Sequence, residues 1–357
     1  MKTVLVTGAA GLVGSEAVRF FTAQGYKVVG IDNDMRRYYF GTEAATTDNL
    51  ARLKEACPDF INHAIDIRDP DAVLDVYRTY GREIVLVIHC AGQPSHDWAA
   101  REPLVDFGVN ATGTLHLLEA TRLCCPGAVF IFVSTNKVYG DRVNQLPFKE
   151  LETRWELDPA HPCYEGIAED MPLDQSRHSL FGASKAAADI MVQEYGRCFE
   201  MKTAVFRAGC ISGYQHRGVP QHGYLAYLMK CAVLHKEYEV FGYKGKQVRD
   251  NIHSHDLVNA FYHFYQAPRC GAVYNIGGGR FSHCSMQESI VLCERITGHK
   301  MAVRYNAVNR GGDHVWWVTN TARFAADYPQ WRLTRDVESI LAEMHTHNKD
   351  IWLASKG

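Results

Sequence analysis

No Cys-x-x-Cys pair occurs among the 11 cysteines of this 357-residue chain. Zinc ribbons and dithiol sites use that spacing, so neither is expected, and the cysteines read as small buried residues of a reducing cytoplasm. No uncharged apolar run approaches the roughly 18 residues that a membrane helix needs, so no membrane partner is expected. No cationic leader precedes Met1-Lys2-Thr3-Val4-Leu5-Val6, so no signal peptide is expected. An excess of charge of one sign is also missing. Lys+Arg number 38 against 40 Asp+Glu, a net of -2. That leaves no basic footprint for nucleic acid and no acidic tail. Repeats and low-complexity linkers are absent as well. What remains is a chain 46% hydrophobic and 22% charged, enough for one large α/β unit or two joined domains with a sizeable core.

The positive signals begin at the first strand. Val4-Leu5-Val6-Thr7 is short and β-branched, and it runs into Gly8-Ala9-Ala10-Gly11-Leu12-Val13-Gly14 and a helix expected from Ser15 to Gln24. Glycines 8, 11 and 14 allow a tight turn, close approach of backbone to a pyrophosphate, and close helix–strand packing. The helix N-terminus offers free N–H groups to the phosphates. A second strand, 27–31, ends in Asp32, placed to accept from both hydroxyls of a ribose and to repel a 2′-phosphate; NAD is therefore favoured over NADP. Arg36 and Arg37 keep NADP open, their plainer reading being a solvated turn. Strand 60–65 leads to Asp66-Ile67, expected at the adenine. Strand 84–89 leads to Ala91-Gly92-Gln93, where small residues let the backbone line a cofactor. Asn110 opens a helix, and strand 128–133 leads to Ser134-Thr135-Asn136-Lys137-Val138-Tyr139-Gly140. This alternation predicts an α/β fold with a doubly wound parallel sheet and ligands at its carboxyl edge.

Thr7-Gly8-x-x-Gly11-x-x-Gly14, His89-x-Ala91-Gly92, Asn110, Ser134-Thr135 and Lys185 together resemble the extended short-chain dehydrogenase/reductase family, the NAD-dependent epimerases and dehydratases. Within it, Ser134–Asp141 and Gly245-Lys246-Gln247-Val248-Arg249-Asp250 are most similar to the CDP-tyvelose (CDP-paratose) 2-epimerases. The likeness runs from the start to about residue 335. It implies a Rossmann domain over 1–210 plus a returning strand near 250–275, and a smaller sugar-nucleotide domain from 211–249 and 276–357. It also implies a cytoplasmic homodimer that takes a hydride from a sugar carbon onto NAD and returns it to the other face of a transient keto sugar. Lys185 would hold the nicotinamide ribose, and Ser134 or Thr135 would bond the reacting oxygen. The cofactor set implied is Gly8, Gly11, Leu12, Val13, Gly14, Asp32, Asn33, Asp66, Ile67, Ala91, Gly92, Asn110 and Lys185. The substrate set is Gln93, Asn136, Gly223, Tyr224, Arg249, Arg310 and Asp313. In it the two arginines take the diphosphate, Asp313 the nucleotide ribose, and Gly223-Tyr224 the base. His253, His255 and Asp256 match a turn-to-helix element of the family, and no metal is expected. Trp316-Trp317 is expected to pack, and Asn275–Gly279 to be a loop.

One position breaks the pattern. The family's acid/base tyrosine lies four residues before the lysine, and here that residue is Phe181. Three explanations stay open: a substituted chain, a natural branch with a relocated base, or a silenced NAD- and sugar-nucleotide-binding protein. The connection from Ser134 to Phe181 is long for a strand-to-helix link, and such stretches are usually functional. It carries Tyr164, Glu165, Glu169, Asp174 and His178; Glu169 lies in a stretch resembling the relatives' Gly-Tyr-Asp-Glu and is the leading candidate for the relocated base. A 4-epimerase or 4,6-dehydratase is the alternative on the same ligands, the dehydratase disfavoured because Thr135-Asn136 offers no Asp-Glu pair.

Overall fold

The computed structural model describes residues 2–220 and 222–354. Thr3–Thr7 is buried along its whole length. Strands this short and covered on both faces belong inside a parallel sheet. The sheet has seven strands, edge to edge Ala272–Ile276, Thr203–Ala208, Val129–Thr135, Ile84–His89, Thr3–Thr7, Lys27–Ile31 and Ile61–His63. Every neighbouring pair is parallel. The chain lays down its first three strands in one direction, then crosses back to put Ile84–His89 on the other side of Thr3–Thr7. That reversal opens a crevice at the carboxyl ends of two adjacent strands, the usual ligand position of such sheets.

Side chains alternate between two cores. Val4, Val6, Leu86, Ile88, Ile131 and Phe206 face helices Leu12–Ala23 and Ser254–Gln266 through Phe21, Leu257 and Phe261. Leu5, Val29, Val87, Phe130, Phe132 and Val205 face the helices on the other side through Val73, Leu117 and Val192. A third cluster joins helices Tyr224–Leu234, Met286–Thr297 and Val337–Ala354.

Two local expectations are corrected. The first helix starts at Leu12, not Ser15, because Gly11 serves as its N-cap. Asn110 does not open a helix: Pro103–Phe107 continues through a π-turn, Gly108–Thr112, into Gly113–Cys124. The returning strand expected near 250–275 is Ala272–Ile276. Val248–His253 pairs instead with Cys210–Ser212, His283–Ser285 and Trp316–Trp317 in a smaller sheet. Phe324, Tyr328 and Trp331, from the stretch expected in the smaller domain, complete the core of the large sheet.

The long connection after Ser134 is held down by the C-terminal part of the chain. Its hairpin, Lys149–Glu150 and Trp155–Glu156, presents the Glu156 carboxylate to Arg280 and to the Trp316 indole N–H at 3.0 Å. Ile167 pairs with Thr319. Trp316 and Trp317 are fully buried, and Trp317 stacks on Tyr139. The glycine-rich loop at 277–279 wraps a carboxylate: Asp250 Oδ2 accepts from the N–H of Gly279 at 2.9 Å and of Thr319 at 3.0 Å.

A buried ion pair ties these parts together. Asp189 on helix Ser179–Cys198 accepts two bonds from Arg207, Nε at 3.0 Å and Nη2 at 2.9 Å, with both side chains almost wholly enclosed. Ser134 Oγ donates to the same carboxylate at 2.8 Å, and Arg207 Nη1 donates to Tyr139 Oη at 2.9 Å. Removing one partner of such a pair strands the other charge. Asp189→Ala is therefore expected to destabilise the fold by about 3–5 kcal/mol, read as a shift of the urea unfolding midpoint. A change under about 1 kcal/mol would show that the pair does not organise the sheet edge.

Candidate active site

The turn at the first strand end is closed by backbone alone. Gly8 sits at φ +65°, and a Cβ added there would lie 2.8 Å from Ala91 N across the crevice. A Cβ on Gly14 would lie 2.0 Å from Gly8 O. Only glycine permits both approaches. Asp32 stands at the rim, its two oxygens accepting from Ala10 N and Asp34 N, each at 2.9 Å. Burial raises its pKa against those two bonds. Leu12, Val13, Asn33, Asp66, Ile67, Ala91 and Gly92 line the same space. Arg68 holds the Asp66 carboxyl below its ordinary range.

Arg36 is not in a solvated turn. Its guanidinium donates to Ala44 O and Arg217 O and meets His222 Nδ1 at 3.3 Å, and burial lowers it to about 10. Asn110 is likewise displaced from its expected role. It does not line the cavity; its amide braces Gln93 through both backbone atoms and bonds Asp106 and Ser184. It shapes the cavity wall at Gln93 from behind.

At the centre, strand alternation separates the two candidate hydroxyls. Ser134 is committed to Asp189. Thr135 Oγ1 accepts from Lys137 N at 3.2 Å and makes only a long contact, 3.4 Å, with Asn136 Oδ1, so it is the hydroxyl left for a ligand. Lys185 Nζ donates to Val133 O at 2.8 Å and lies 4.1 Å from the Phe132 ring centroid. Burial brings it down to about 8, with Asp189 opposing. Phe181 lines the cavity, and His96 meets its ring edge-to-face at 5.1 Å.

A second stretch of the cavity wall holds charge. Arg249 and Asp313 are paired at 2.5 Å inside the cavity wall, with Lys137 Nζ 3.7 Å from Asp313. Burial disfavours the Asp313 carboxylate, but Arg249 and Lys137 outweigh it and hold the group well below the carboxylate range. Gly223, at φ +83°, leaves room for His216, and Tyr224 Oη accepts from Asn251 at 2.9 Å. Arg310 is exposed over the Phe241 ring and donates to Pro220 O. Gln93 and Asn136 complete the wall.

Glu169 is not there. Its carboxylate accepts from Asn275 N at 2.7 Å, on the sheet's edge strand, and neither it nor Tyr164, Glu165, Asp174 or His178 lines the cavity. The relocated-base role expected for Glu169 is thus corrected by position: the connection is stitched to the C-terminal strands instead of folding over the site. His96 and Lys137 line the cavity and were missed as chemical groups. Lys137 could have been found from its place two residues beyond Thr135; His96 carries no motif.

The chain is 32% identical over 301 residues to CDP-paratose 2-epimerase of Salmonella typhi, covering 82% of this chain and 83% of that protein. It is 28% identical over 325 residues to human UDP-glucose 4-epimerase, covering 87% and 86%. Its fold matches a crystal structure of Bifidobacterium longum UDP-glucose 4-epimerase in complex with NAD+ and UDP, with a TM-score of 0.79 at 23% identity over 97% and 98% of the two chains. The model of the NAD dependent epimerase/dehydratase family matches residues 4–277, and this chain belongs to that family.

Proposed function

We propose that the chain is an NAD-dependent epimerase of a nucleoside-diphosphate sugar, acting 2-epimerase-like through a transient keto sugar. The observation that carries this reading is the continuity of one cavity, about 510 Å³, from the glycine turn and Asp32 past Thr135, Phe181 and Lys185 to Arg249, Asp313 and Arg310. It joins a dinucleotide cradle to a cationic diphosphate end without a wall between them.

The cradle fits NAD on its own chemistry: no Cβ fills the turn, and Asp32 presents a carboxylate where a ribose needs acceptors. Bound NAD supplies a reversible hydride acceptor. The rest falls to the chain. Backbone N–H groups at Gly11–Val13 take the pyrophosphate, Lys185 holds the nicotinamide ribose, and Thr135 Oγ1 bonds the reacting sugar oxygen. Arg249 and Arg310 take the substrate diphosphate, Asp313 its ribose, Gly223 and Tyr224 its base, and Gln93 and Asn136 the sugar. The Asn136 amide beside Thr135 does not ionise and cannot serve as a general acid, which speaks against a dehydratase.

The reading extends to a homodimer in the cytoplasm. Leu104 and Phe107 are exposed on one helix and Leu180, Ile190 and Met191 on the helix packed against it, a face suited to a second copy. All eleven cysteines are free.

Turnover of a panel of nucleotide sugars tests the function; a chain that carries NAD but converts none is a binder. NAD should co-purify and exceed NADP in affinity by at least tenfold, because Asp32 repels a 2′-phosphate. Equal binding in a titration would remove Asp32 from the cofactor site. Arg249→Ala should weaken sugar-nucleotide binding by about 1.5–3 kcal/mol, the range for charge-assisted hydrogen bonds, in calorimetry. Arg310→Ala, at an exposed position, should cost less. Glu169→Gln, off the cavity, should leave turnover within about threefold.

A further inference from the structure

We propose that Lys137 Nζ is the proton-transfer group of this chain, taking the place of the hydroxyl absent at Phe181. This rests on the epimerase reading above. Lys137 follows Thr135 by two residues, on a 3-10 turn where its own N–H donates to Thr135 Oγ1. Whatever oxygen Thr135 bonds is therefore presented next to the base of the Lys137 side chain. The same turn packs against Phe181's helix: a Cβ on Gly182 would lie 2.7 Å from Lys137 O. Nζ reaches the cavity wall, donating to Gly312 O at 2.9 Å and lying near Asp313. One bonded carbonyl and one carboxylate leave an ammonium a third proton site, and a neutral amine its lone pair, for a ligand.

The charged and titratable groups facing Lys137 are Asp313, Arg249, Cys210, His96 and His314, from four segments. Burial lowers Lys137 to about 8, and Asp313 resists that fall while Arg249 adds to it. General bases work best near the operating pH. The other nitrogen at hand is less suited. His96 commits Nδ1 to Ser179 Oγ at 2.7 Å, and burial drops it to about 4. The step balances simply: the sugar O–H bond breaks toward neutral Nζ, giving an ammonium and a carbonyl as the hydride leaves for the nicotinamide cofactor. The ammonium returns the same proton when the hydride comes back.

Two variants and one labelling measurement test this. Lys137→Met removes the amine. Lys137→Arg keeps a cation beside Gly312 O and Asp313 but cannot release a proton near neutrality. Both are expected to lower kcat by about 100- to 10,000-fold, with sugar-nucleotide dissociation constants changed less than about tenfold. Wild-type kcat/KM should rise with pH to a plateau above about 8, and residual activity in Lys137→Arg should lack that limb. In the ligand-free chain, competitive acetylation with acetic anhydride, read by mass spectrometry, should titrate Lys137 near 8. Turnover in Lys137→Arg within threefold of wild type, or a Lys137 titration above 10, overturns the assignment and leaves the epimerase reading intact. A wild-type chain that converts no nucleotide sugar overturns both.

Discussion

The Asp189–Arg207 pair is the constraint on which the site depends. A carboxylate and a guanidinium buried together must satisfy nearly all their hydrogen-bonding capacity, or the desolvation loss exceeds the attraction. Here Asp189 accepts from Arg207, Ser134 and Gln193, and Arg207 donates onward to Tyr139, whose hydroxyl donates to Asn275. Those partners come from three neighbouring strands, the Lys185 helix and the turn after Thr135. Fixing the pair fixes where Thr135, Lys137 and Lys185 stand relative to one another. Ser134 thereby has a physical role distinct from its neighbour's: it anchors the strand end while Thr135 lines the cavity.

The second buried charge set, Arg249, Asp313 and Lys137, follows different logic. It lies on the cavity wall with two cations to one carboxylate. The local excess of positive charge suits an anionic diphosphate, while burial lowers the proton affinity of the lysine against the pull of Asp313.

The dinucleotide half was legible because its signals are local. Strand, glycine turn, helix and terminal acid follow in unbroken order from Val4 to Asp32, and each glycine answers a contact with the backbone of Gly8, Ala9 or Ala91. Ser134–Lys185 was legible as a motif but not as a geometry. The alternation that turns Ser134 inward and Thr135 outward depends on Asp189, remote in sequence. Glu169 was misread for the same reason: a carboxylate in a long connection gives no hint that its partner is the backbone of Asn275. The returning strand expected near 250–275 is Ala272–Ile276, while the pairing of Val248–His253 with Trp316–Trp317 involves partners that sequence spacing does not reveal. The triple glycine at 277–279 was set aside correctly as a cofactor motif, and its reason is the Asp250 carboxylate it encloses.

The stitching of the long connection to the end of the chain has a consequence for synthesis. Glu156 waits for Arg280 and Trp316, Glu169 for Asn275, and Ile167 for Thr319. On the ribosome these partners emerge long after the segment they hold. At roughly 5–20 residues per second, that gap lasts on the order of ten seconds. Through that interval the early strands are already out and free to associate, while the connection trails unpaired with Trp155, Tyr164 and its carboxylates in water. Vectorial emergence therefore leaves this stretch without its partners until the C-terminal part of the chain has been made.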